Sequence, residues 1–369
     1  MTASARGRVP APRPSDERFI GATLVGLTVV GVVIRVFVAG QDLFADELAT
    51  YWIATTHGLR GVVETVSTTA EISPPLSFAL SWLFTRPGYS SELLRAPALL
   101  AGTATIPLVY LVGARTVGRA AALTAAALTA FSPFMIYYSA EARGYGLLMA
   151  LVLGSTYALL RAVDEGGRWW AVHGLAVCLA AYTHYTAVFD LGVQFLWMFG
   201  RHRPIRRSLF VATAAAAVAY APWLPSLKGD IDSPTTKILN SISPFDWASV
   251  KQSLTHWTVA YPFALPWTRP ADLPGTPALV LLAAGGALGV VGLVTRRARL
   301  GGLVGSRDRG FVLVVLLALA TPVGAALQSA AGNNVFNTRS LAASLPYLAL
   351  AVGAFVTHGR ARCGSRRRC

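Results

Sequence analysis

The chain has 369 residues, 54% of them hydrophobic and only 13% charged, at a mean hydropathy of +0.52. This excludes an ordinary soluble domain and requires membrane spans, because a helix needs about 20 apolar residues to cross roughly 30 Å of hydrocarbon. The net charge of +15 would suggest a nucleic-acid partner in a soluble protein, but 29 Arg against 3 Lys, placed mostly in short connections between apolar runs, form a topological pattern instead.

The first apolar run, 19–39, is too long and too weakly terminated for a cleaved signal peptide and reads as a retained anchor span. Runs at 92–114, 120–137, 145–160, 169–184, 185–200, 208–225, 276–295, 310–330 and 339–357 follow, making about ten spans. With the N-terminus inside, the pieces 1–18, 115–119, 161–168, 201–207, 296–309 and 358–369 hold 22 of the 29 Arg and only five acids. The predicted fold is therefore an all-α polytopic membrane protein, N-in and C-in, with a single transmembrane domain over 19–357 between basic cytoplasmic tails at 1–18 and 358–369. The inward arginines also attract anionic lipid headgroups. Cys178, Cys363 and Cys369 suggest neither a disulfide nor a metal site.

Two outer loops are long. In the first, about 40–91, helical spacing of Leu48, Tyr51, Trp52 and Leu59 predicts an interfacial helix, and Pro74-Pro75 starts a second apolar piece, Leu76 to Phe84, too short to span. The second, about 226–275, contains all three lysines, four Trp or Tyr residues and many prolines, and reads as a lid or substrate-facing loop.

The chemistry-bearing residues collect on the outer side of this topology. Asp46-Glu47 follows the first span directly. A carboxylate so near the bilayer is partly desolvated and can take the proton of an attacking hydroxyl; equally, two acids can simply stabilise the first turn of a helix. Glu141 and Arg143 share a short outer turn, where they either pair with other loop charges or position a sugar and neutralise a phosphate. Arg95 and Arg339 each open an inward-running span at the depth of a lipid phosphate, as phosphate forks or as snorkelling anchors. Glu71 shares the first outer loop, and His184 with Tyr185 sits at an outer hairpin as a sugar contact or an interfacial pair. Arg35 and Asp190 are charges inside the membrane within about two turns of its outer edge.

In order and spacing from about Arg35 to Ala162, these residues resemble the fold-type-C membrane glycosyltransferases. The group is the dolichyl-phosphate-mannose protein mannosyltransferase-like one that includes the lipid A aminoarabinose transferases. The matching elements are Asp46-Glu47, Ser73-Pro74-Pro75-Leu76, Arg95-Ala96-Pro97, Ser132-Pro133, and Tyr138 through Glu141-Ala142-Arg143-Gly144-Tyr145, with a weaker Arg339…Pro346. Ser73 stands where the family has His.

The resemblance implies an inverting, metal-independent or weakly metal-dependent transferase with no organic cofactor. It would act at the outer face of the inner membrane, taking a sugar from a polyprenyl-phosphate donor to a lipid, glycan or protein hydroxyl. Asp46 would be the base, and Glu47, Glu71, Arg95, Glu141, Arg143, Tyr145, His184, Tyr185 and Arg339 would bind substrate. The rival readings are a transporter or flippase of a lipid-linked sugar, which would concentrate charges near the midplane, and a non-catalytic scaffold.

Overall fold

The computed structural model describes residues 14–258 and 306–358, apart from 45, 69–70, 235, 237, 239–240 and 242–243. These residues form helices and no strand. Helix α1 (Pro14–Ala39) leads into three short helices, α2 (Asp46–Thr56), α3 (Leu59–Thr68) and α4 (Leu76–Phe84), and then α5 (Ser91–Thr116). Next come α6 (Arg119–Phe131), α7 (Pro133–Ala140), α8 (Tyr145–Glu165), α9 (Arg168–Ala181), α10 (Ala187–Arg201), α11 (Arg206–Tyr220) and α12 (Leu224–Asp232). Finally there are α13 (Trp247–Thr258), α14 (Ser306–Ala330), a 3-10 turn (Arg339–Ser344) and α15 (Leu345–His358).

Six of these stretches are long and apolar enough to cross a membrane, or seven if the bent pair α6–α7 counts as one span. The expected interfacial helices appear as α2 and α4, with α3 between them. The expected spans 169–184 and 185–200 appear as α9 and α10, of 14 and 15 residues, short of the ~20 that a straight crossing needs. Expected span 208–225 continues through a 3-10 turn into α12, so helix occupies the start of the predicted 226–275 loop. Span 276–295, residues 259–275 of that loop and most of both basic tails lie outside the described residues.

The expected span 120–137 is broken, and its residues say why. Pro133 lacks an N–H, so the Thr129 carbonyl loses its helical donor, and the axis bends by 58° between α6 and α7. Ser132 restarts the helix, its hydroxyl accepting from the Met135 N–H at 3.3 Å. Arg35, fully buried on α1, reaches across and donates to the carbonyls of Thr129 at 3.0 Å and Ala130 at 3.2 Å. This intramembrane charge therefore closes a helix break by satisfying its carbonyls.

Below the site, α5, α7 and α8 approach closely because small residues face each other. A Cβ on Gly102 would lie 2.1 Å from the Ser139 hydroxyl, and one on Gly146 would lie 2.8 Å from the Ala98 carbonyl. The core they enclose includes Phe134, Met135, Leu148, Met149, Val152 and Tyr347.

Replacing Arg35 by Leu leaves those two carbonyls without their donor, and should destabilise the protein by about 2–5 kcal/mol. Adding Pro133→Ala, which supplies an N–H for Thr129, should recover part of the loss. Thermal unfolding of the purified variants in detergent measures both.

Candidate functional site

Side-chain contacts bring the end of α1, the starts of α2, α5 and α8, the hairpin after α9 and the 3-10 turn before α15 to one end of the bundle. The site forms there. Its fixed part is a buried ion pair, Glu47 with Arg95. Arg95 donates through Nε to Glu47 Oε1 at 2.7 Å and through Nη2 to Oε2 at 2.6 Å. Its other donors reach the carbonyls of Ala39, Gln41 and Asp42, the orphan acceptors where α1 ends. Glu47 in turn accepts from the backbone N–H of Ala142 at 2.8 Å and of Phe44 at 3.3 Å. All five donor hydrogens of one partner and both oxygens of the other are used. The pair therefore ties the first loop to α5 and to the Glu141–Gly144 turn.

Because Asp46 and Glu47 are consecutive at the start of α2, they project about 100° apart around its axis. Glu47 faces inward to Arg95; Asp46 faces Arg339, its Oδ2 accepting from Nη1 at 2.5 Å with both side chains over a third exposed. Burial would raise the Asp46 pKa, but the positive charges of Arg339 and Arg143 outweigh it and hold the carboxyl below the ordinary range. Arg143 donates to Glu71 at 3.2 Å, with its guanidinium 5.3 Å from the Phe78 ring. Both cations are thus engaged by acids other than Glu141.

Glu141 is left with a buried oxygen, Oε2, that has no hydrogen-bond partner. Burial drives its pKa up, opposed by Arg143 and Arg339 and reinforced by Glu47 and Asp46, to about 7. Beside it, Tyr145 packs edge-on against Tyr138 at 4.9 Å and at a tilt against His184 at 5.6 Å. His184 Nδ1 lies 2.8 Å from the Thr186 hydroxyl and 3.3 Å from its N–H, which fixes the ring's orientation and turns Nε2 away from that contact. The Leu76 N–H donates to the Tyr182 carbonyl at 3.0 Å, bringing the His184 hairpin to the first outer loop.

The structure thus brings together Asp46, Glu47, Glu71, Arg95, Glu141, Arg143, Tyr145, His184 and Arg339. Tyr185 stands to one side, its hydroxyl donating to Asp230 and accepting from the Trp223 indole N–H at 3.1 Å. Asp230 was not singled out in sequence, since α12 falls in a stretch read as loop; an acid following a Trp-Leu-Pro helix start was the available signal. Asp190 is buried within hydrogen-bond reach of the Ser344 hydroxyl, away from this cluster. Among the described residues no group of three His, Cys, Asp or Glu side chains is arranged to hold a metal ion.

Comparison with solved structures gives the fold. The Archaeoglobus fulgidus oligosaccharyltransferase AglB, solved with an inhibitory peptide and a dolichol-phosphate, superposes with a TM-score of 0.61 at 13% identity, over 96% of this chain and 52% of that one. ArnT from Cupriavidus metallidurans, solved with undecaprenyl phosphate bound, gives 0.55 at 14% identity, over 94% of this chain and 61% of its own. The fold is that of the fold-type-C membrane glycosyltransferases, and the chain spans a little over half the length of these two structures. Residues 73–226 match the family model of the dolichyl-phosphate-mannose-protein mannosyltransferases, in agreement with the resemblance drawn from the motifs. The comparison with curated proteins yields no match.

Glu141 gives a pH test. With its folded pKa raised from 4.5 to about 7, the native state holds a proton that the unfolded chain releases, so this residue's contribution to stability falls as pH rises through that window. The melting temperature of Glu141→Gln relative to wild type should therefore rise between about pH 5 and pH 7.5. A pH-independent difference would contradict the assignment.

Proposed function

We propose that this chain transfers a sugar from a polyprenyl-phosphate-linked donor to a hydroxyl of a lipid, envelope glycan or protein, with inversion, at the outer face of the inner membrane. The observation that carries the reading is the Asp46–Arg339 contact. It sets a carboxylate and a guanidinium with donors to spare side by side, at the bundle end where a lipid phosphate would lie. Arg95 has no donor left for a ligand and Arg143 is held by Glu71, so Arg339 is the cation a phosphate can take.

Donor binding then has a direct chemical consequence. Phosphate oxygens compete with Asp46 for Arg339, and releasing the carboxylate from its cation returns its proton affinity toward the ordinary range, making it a better base. Asp46 takes the proton of the acceptor hydroxyl as that oxygen attacks the anomeric carbon. The bond from that carbon to the phosphate oxygen breaks, and the lipid phosphate leaves with its negative charge against Arg339. One displacement inverts the anomeric centre. Glu141, poised near neutrality, offers or accepts a hydrogen bond at the sugar, with Tyr145 and His184 Nε2 beside it. Glu47 and Arg95 position the backbone from which Asp46 projects, and Glu71 holds Arg143. The two structural neighbours, solved with dolichol-phosphate and undecaprenyl phosphate, support a lipid-phosphate donor. Charges gathered at one end of the bundle favour transfer over transport.

The purified protein in lipid nanodiscs, supplied with polyprenyl-phosphate sugars and envelope acceptors, should turn over and lose about 10²–10⁴-fold in kcat on Asp46→Asn. Arg339→Ala should act chiefly on the donor KM. Undiminished transfer by Asp46→Asn would overturn the mechanism.

A further inference from the structure

At the opposite end of the bundle, α9 and α11 start side by side and leave a groove of about 460 Å³ between them. Helix α9 is 14 residues long, which puts its first turn roughly 21 Å from the Tyr182–Tyr185 hairpin at the site. The groove is lined by Gly167, Trp170, Ala171, Val211 and Ala215, with Arg207 at its mouth. Arg207, Val211 and Ala215 recur every four residues, so the α11 wall runs from a charge into an apolar trough. Gly167, with φ of 55°, keeps the α9 side low where the helix begins.

The charge around the mouth is one-signed. Arg168, Arg201, Arg203 and Arg207 are exposed, and none has an ion pair among the described residues. The acids at this end are engaged elsewhere, Asp164 by Arg115 and Glu165 by Arg161 and Arg115. Arg168, Arg201 and Arg206 are held over Trp169, Trp197 and Phe199, leaving Arg203 and Arg207, about one turn apart, for an anion. Trp169 and Trp170 lie in the first turn of α9, and tryptophans at the ends of membrane helices favour the headgroup region.

We propose that this groove binds an anionic phospholipid of the cytoplasmic leaflet, one acyl chain lying along Val211 and Ala215 and the phosphate against Arg207 and Arg203. An apolar trough capped by unpaired arginines matches the chemistry of that lipid, since basic pockets between membrane helices select acidic headgroups. A zwitterionic lipid would bring an ammonium group into the same positive field.

Native mass spectrometry of the delipidated protein, titrated with phosphatidylglycerol, phosphatidylcholine or undecaprenyl phosphate, tests this. Phosphatidylglycerol should be retained in preference to phosphatidylcholine. Arg203→Gln with Arg207→Gln, at exposed positions, should weaken its retention by roughly tenfold. Ala215→Trp, which fills the trough and leaves the charge, should weaken retention as well. Equal retention of phosphatidylcholine, unchanged retention in these variants, or preference for undecaprenyl phosphate would each overturn the assignment.

Discussion

The buried pair between Glu47 and Arg95 holds the functional end of this molecule together. It is made by residues 48 positions apart, and it joins the end of α1, the start of α2, the start of α5 and the turn after α7. A buried ion pair gains stability only if its remaining hydrogen-bonding groups are also satisfied, and here they are. Losing either partner would strand a charge against the membrane, a cost of about 3–5 kcal/mol in comparable cases. The same pair orients Asp46, because a helix that begins with Glu47 turned inward must turn Asp46 toward Arg339.

A division of labour follows among charges that look alike in sequence. Arg95 and Glu47 saturate each other and build the frame. Arg143 is braced by Glu71 and Phe78. Arg339 and Asp46 meet through one partly exposed contact, which an incoming phosphate can reach and open more readily than the buried Glu47–Arg95 pair. Glu141 has the environment of a group waiting for a partner: buried, with an unsatisfied oxygen, and drawn toward neutrality by that burial.

Much of this architecture was legible in the residues. Hydrophobic runs located nine stretches that lie on described helices, and the Pro74-Pro75 and Asp46-Glu47 signals located two of the short helices between α1 and α5. That these acids and arginines share one end of the bundle was likewise expected from charge placement. What a sequence does not carry is partner choice. Nothing in the string distinguishes Arg95, fully committed to Glu47, from Arg339, held by one contact. Arg35 read as a suspicious membrane charge because its role depends on Pro133, nearly a hundred residues away, removing a backbone donor. The break within 120–137 was similarly concealed by composition, since Ser-Pro reads as easily as a loop edge as a bend inside a span.

In the proposed reaction, donor phosphate takes Arg339 from Asp46. A cryo-electron microscopy map of the protein in nanodiscs with a polyprenyl phosphate bound tests it most directly. The account predicts phosphate density against the Arg339 guanidinium, the Asp46 carboxylate released and facing the cavity, and the Glu47–Arg95 pair unchanged. Phosphate density elsewhere, with Asp46 and Arg339 still paired, would contradict it.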